Sequence, residues 1–159
     1  MNGLVTVLIE WPRIVASFFT WLPPLVVRIV VGWTFLWSGW QKLQILPKMI
    51  QNFREWGIPY PEILTPFVSG VEMIGGGLLL VGLLTRIAAP PLMVVMVVAI
   101  ASAKWANVDS LETLLGFEEA SYFAMFLYLA VAGPGPISID HFLEPRHPRR
   151  DRSVVPLSD

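Results

Sequence analysis

Five side chains within one apolar stretch, Arg28, Gly32, Phe35, Gly39 and Lys42, recur at steps of 4, 3, 4 and 3 residues. At 100° per residue they fall within about 80° of a helix's circumference. Such a stripe carries two cations with glycines between them, so a neighbouring helix or a small ligand can approach it closely. A second stretch places Thr65, Ser69, Glu72 and Gly76 on one face, a later one aligns Glu119, Tyr122, Phe126 and Gly133, and Lys104 ends the stretch between them. Ionisable groups at membrane depth are costly, about 2.5–3.5 kcal/mol on insertion scales, and usually face a bundle interior. Cations beside carboxylates there can hold an anionic group, polarise an oxygen or relay a proton. The spacing predicts a polar pocket of Lys42, Glu72, Lys104 and Glu119, lined by Tyr122. Two plainer readings compete with it: lysines at helix ends often snorkel to the interface as anchors, and a mid-span carboxylate can serve an obligatory ion pair. Arg28 starts roughly 12 Å along its helix from the level of Glu72 at about 1.5 Å per residue, so a direct pair between them is disfavoured.

These residues need membrane-spanning helices to position them. The 159-residue chain is 55% hydrophobic and only 14% charged, against about 25% charged in soluble domains. Four apolar runs stand out, at 21–42, 63–84, 87–103 and 120–133, bounded by Pro23 and Pro24, Pro66, Pro90 and Pro91, and the GPGP at 133–136. About 20 helical residues cross a ~30 Å hydrocarbon core. The fourth run is short, so its helix has to begin near Leu114 or Phe117, or the bilayer has to thin around it. The fold class expected is an all-α membrane protein, a bundle of four transmembrane helices.

The flanks complete the layout. In residues 1–22, Thr6, Glu10, Arg13, Ser17 and Thr20 draw one narrow polar stripe, the pattern of a helix lying in the membrane interface and bent at Pro12. A frayed apolar leader is the alternative, and a signal peptide does not fit a segment carrying Glu10 and Arg13. The loop KMIQNFREWGIPYPE has Met49, Ile50, Phe53 and Trp56 at helical spacing, predicting a short amphipathic helix. NVDSLETLLG predicts another, with Asp109 and Glu112 as a capping box and Gly116 as its C-cap. Residues 23–142 form the helical domain and 143–159 a disordered basic tail suited to an anionic lipid surface. Six basic residues, Arg13, Arg86, Arg146, Arg149, Arg150 and Arg152, stand on one side against Lys42, Lys48, Arg54 and Lys104 on the other. That bias favours cytoplasmic termini.

Trp33, Trp37 and Trp40 share a face about 120–180° from the Arg28–Lys42 stripe. Tryptophan belongs at the headgroup level, yet Trp33 and Trp37 fall well inside the span. They serve either lipid contact or a surface facing quinone or a partner helix, from another membrane subunit or a second copy of the chain.

Composition excludes much. The chain has no cysteine, which rules out disulfides, thiol catalysis, Cys-ligated zinc and iron–sulfur clusters for the chain acting alone. His141 and His147 both lie beyond the last apolar run, so no metal or haem held by histidine inside the bilayer is expected. No uniform basic field suits nucleic acid.

RIVVGWTFLWSGWQKL in the first run, EWGIPYP in the loop, VEMIGGGLLLVGLLTRIAA across the second and third, then FEEASYF and GPGPISID, resemble the DoxX family of small bacterial membrane proteins. The resemblance covers about residues 24–141. It implies a four-helix membrane bundle and, by position, the polar set Arg28, Lys42, Glu72, Arg86, Glu119 and Asp140. It also implies association with membrane redox assemblies such as quinol oxidases. The primary expectation is an accessory or quinone-interacting subunit, with Ser69, Gly39 and Gly76 in supporting positions and quinone as a non-covalent ligand. The alternatives are a scaffold subunit without substrate, or a small transporter or lipid-binding bundle. Enzymatic turnover by the chain alone is left open.

Overall fold

The computed structural model describes residues 11–143, and these are helical apart from short connections. Thr6, Glu10, His147 and the tail arginines lie outside the described residues. Helix α1 runs Trp11–Phe18 and α2 runs Leu22–Gln44, the latter opening on prolines in its first turn, where a missing N–H is tolerated. Helix α3, Leu46–Glu55, buries Met49 and Phe53, and Phe53 meets Trp56 with ring centroids 5.6 Å apart. Helix α4 spans Pro61–Val81, and α5 spans Thr85–Ala99 before a π turn at Ile100–Lys104 and a 3-10 turn at Trp105–Asn107. Helices α6 (Leu111–Gly116), α7 (Glu118–Ala132) and α8 (Ile139–Leu143) follow.

Among the described residues three helices are long and apolar enough to cross a membrane: Leu22–Gln44, Pro61–Val81 and Thr85–Asn107. Helix α7 begins at Glu118 rather than Leu114 because Phe117 takes an extended conformation and breaks it from α6. Its 15 residues reach about 22 Å. It packs along α5 and touches α2.

The most extensive packing is α2 on α4, and glycine makes it close. A Cβ on Gly32 would sit 2.7 Å from the Leu80 amide nitrogen, and one on Gly76 would fall on that of Leu36. The glycines of the polar stripe thus admit a helix backbone. Around this seam Val31, Phe35, Leu79, Leu92, Met96, Phe126 and Leu129 form the buried core. Phe35 receives Phe126 at 4.9 Å and Tyr122 at 5.2 Å, both edge-on, the favoured aromatic geometry. The perimeter is apolar too: Phe67, Ile74, Ile87, Val94 and Val131 are all exposed. Water would not tolerate so continuous an apolar belt, whereas lipid tails cover it at no cost.

The connection before α6 differs from the expected capping box. Ser110, not Asp109, is the N-cap, accepting from the Thr113 amide at 3.2 Å. The Asp109 carboxylate instead accepts from the Thr113 hydroxyl, which holds it below the usual carboxylate range. Gly116 is the last helical residue and Phe117 the C-cap. The hydroxyl of Ser110 stands in register with the third helical amide, so the acidic neighbour is left to bond a side chain.

Candidate functional site

Glu72 projects from the middle of α4 and is only 1% exposed. Lys42, from the last turn of α2, donates to both of its carboxylate oxygens at 2.6 Å, and the Ser38 hydroxyl donates to Oε2 at 3.2 Å. The lysine reaches from the rim, with its side chain 29% exposed against 2% for Glu72. Ser38 was not among the residues singled out from the sequence; its position one turn before Lys42, flanking the same stripe, was the available signal. Ser69 bonds back to the Thr65 carbonyl at 2.8 Å and leaves Glu72 alone. The Thr65 hydroxyl is fully buried without a partner among the described residues.

A second pair joins the end of the α5 stretch to α7. Lys104 donates to Glu119 at 2.7 Å, and its ammonium lies 5.2 Å from the centre of the Phe117 ring, a cation–π contact that adds to the pair. Helix arithmetic explains how Lys104 reaches it. Eight regular α-helical residues would carry the buried direction of Met96 about 80° away from Lys104. The π turn at Ile100–Lys104 takes up one extra residue and cuts that offset to about 20°.

The residues expected to form one pocket are therefore placed as two ion pairs. Among the described residues no hydrogen bond joins them, and the Tyr122 ring meets that of Phe35 in a T-shaped contact. Gly39 does not face a ligand: a Cβ there would collide with the Ser69 carbonyl and Met73 on α4.

Arg28 lies at the other end of α2 and meets neither carboxylate. Its guanidinium donates from Nη1 to the Pro134 carbonyl at 2.8 Å and from Nη2 to that of Ile137 at 2.7 Å. Gly82, at φ +71°, passes so close that a Cβ would lie 2.5 Å from Nη1. Asp140 accepts from the amides of Leu84 at 2.7 Å and Thr85 at 3.0 Å, capping α5 from 55 residues away, and the Asp140 amide donates to Gly82 at 2.9 Å. Arg86 is exposed and lies against Gly133. The GPGPISID segment is thus a clasp around Arg28. Trp33 and Trp37 stack with centroids 6.3 Å apart on the exposed side of α2, and Trp40 is exposed beside them.

The model of the DoxX family matches residues 24–105, ending before the FEEASYF and GPGPISID segments. The "Uncharacterized membrane protein Rv3486" of Mycobacterium tuberculosis is 33% identical over 150 residues, covering 86% of this chain and 90% of its own length. An alignment that long runs past residue 105. "Putative oxidoreductase CatD" of Bacillus subtilis is 27% identical over 121 residues, covering 75% of this chain and 85% of its own. No solved structure matches the chain. With the family's model over more than half its length, and its glycine-tight α2–α4 seam inside that match, the chain is a membrane protein that belongs to the DoxX family.

Proposed function

We propose that this membrane protein is an accessory, quinone-interacting subunit of a membrane redox complex. The observation that carries the reading is the Glu72 carboxylate, buried to 1% and held by Lys42 and Ser38. A quinone headgroup would sit at the rim, where Lys42 keeps an N–H beyond those given to Glu72. A quinone supplies the electron-carrying group that a chain without cysteine lacks. Lys42 would present positive charge to a quinone oxygen, and Glu72 would accept or return a proton beside it. The relative described as an oxidoreductase adds support at the level of its name.

The wider assembly belongs to the same proposal. Helix α7 completes a four-span bundle in the bacterial inner membrane by local thinning of the bilayer. Both termini are cytoplasmic, α1 lies in the interface, and the stacked Trp33 and Trp37 face another subunit or a second copy of the chain. One feature favours a scaffold without substrate instead: the two ion pairs already satisfy each other and clamp α2 to α4 and α5 to α7.

The deciding experiment is purification in mild detergent followed by organic extraction and native gels. Quinone should co-purify with the wild type, be lost from Glu72→Gln and Lys42→Ala at unchanged gel-filtration position, and the Trp33→Leu/Trp37→Leu variant should shift complex migration. A folded protein that never yields quinone, but whose deletion destabilises a partner, would establish the scaffold instead. Solute flux in liposomes holding this protein alone would establish a transporter.

A further inference from the structure

Two clefts meet at the connection between α4 and α5, away from the Lys42–Glu72 pair. One, of ≈ 520 Å³, includes Arg86, Asp140 and His141 in its lining; the other, of ≈ 440 Å³, is an apolar groove walled by Phe67, Gly70 and Ile74 of α4 and by Pro91 of α5. Leu84 and Ile87 line both, so the Arg86 cleft and the apolar groove are neighbours. We propose that together they bind one anionic phospholipid, its phosphate on Arg86 and one acyl chain along the groove.

Charge selects an anion. Both Asp140 oxygens are engaged by the amides of Leu84 and Thr85, and its charge also faces Arg28. Among the described residues Arg86 makes no hydrogen bond or ion pair, so its guanidinium is the uncompensated charge of the cleft. Shape selects a lipid chain. From Leu78 to Pro66 the groove follows α4 for twelve residues, about 18 Å at 1.5 Å per residue, close to the ~15 Å depth of one leaflet. Gly70 keeps the floor open, with nothing within 4 Å of the place a Cβ would take.

The test is native mass spectrometry of the detergent-purified protein with added phosphatidylglycerol or phosphatidylcholine of identical chains. One basic side chain at an anionic surface is worth about a fivefold preference. Wild type should retain phosphatidylglycerol about fivefold better, and Arg86→Gln should abolish that preference while leaving phosphatidylcholine retention unchanged. Gly70→Leu, at an open helical position that tolerates a side chain, should lower retention of both lipids and keep the preference. Equal retention of the two lipids by wild type, or retention indifferent to Gly70→Leu, would overturn the proposal. So would full displacement by millimolar glycerol phosphate, which would mean a headgroup site without a chain groove.

Discussion

Helix α2 carries a cation at each end, and the two ends treat it differently. Lys42 meets a carboxylate buried in the middle of α4, while Arg28 meets two carbonyls of a loop more than a hundred residues away. The lysine end sets charge against charge inside the bundle, where one partner is sealed and the other reaches the rim. The arginine end sets charge against backbone dipoles where the chain turns back, with Pro134 half-buried and Ile137 exposed. A rigid planar guanidinium suits two fixed carbonyls, and a flexible ammonium suits a site whose partner can change. The arginine end therefore reads as a clasp, and the lysine end is where the proposed ligand would sit.

The largest effect should come from Lys42→Met, which leaves Glu72 buried without a counter-charge, at about 3–5 kcal/mol. Glu72→Gln should cost clearly less, because Lys42 can turn outward to water. Thermal unfolding in detergent, followed by size-exclusion of the survivors, measures both, and equal losses would break the asymmetry. Arg28→Leu comes next at about 1.5–3 kcal/mol, moderated because water reaches the freed carbonyls. Limited proteolysis should then cut within residues 133–138, and an uncut clasp would show that the loop holds without Arg28.

The seam between the two ends gives the third contrast. Gly39→Ala forces a methyl into the α4 backbone and should cost about 1–3 kcal/mol. Gly70→Ala meets open space and should be neutral or stabilise by up to about 1 kcal/mol through helix propensity. Similar melting shifts for the two would mean the glycines do not set helix approach. The smallest effect lies at the rim. Asp109 is held below its ordinary pKa, first by the Thr113 hydroxyl, so it stabilises the fold above the unfolded carboxylate pKa of about 3.9. That contribution is lost as pH falls through the lowered folded value. The melting difference between wild type and Asp109→Asn should shrink from about pH 6 to about pH 3, and a constant difference would show the bond is not held in solution.

Much of this was legible from spacing. The stripe through Arg28, Gly32, Phe35, Gly39 and Lys42 does face the core, and Thr65, Ser69, Glu72 and Gly76 are all buried. Arg28, one leaflet's length along α2 from the level of Glu72, bonds the Pro134 and Ile137 carbonyls instead. Other features were not legible. Nothing in IASAK marks a π turn, because the extra residue is a backbone event that side-chain periodicity does not record. Ser110 displaced Asp109 as a cap because the choice between adjacent polar residues depends on the angle at which the chain enters α6.

Sequence alone determined three stretches that are long and apolar enough to span a membrane and which face of each is polar, since both follow from the fixed rise and turn of a helix; the fourth run expected to span forms the shorter α7. Tertiary structure decided the partners. Lys42 found Glu72 because glycines let α2 and α4 backbones touch at one register. Arg28 found Pro134 and Ile137, and Asp140 the amides of Leu84 and Thr85, only once the last segment folded back over the bundle. Such pairings join residues 30 to 109 positions apart. Helical periodicity is a local property of the backbone, and contacts at that separation depend on how the loops close.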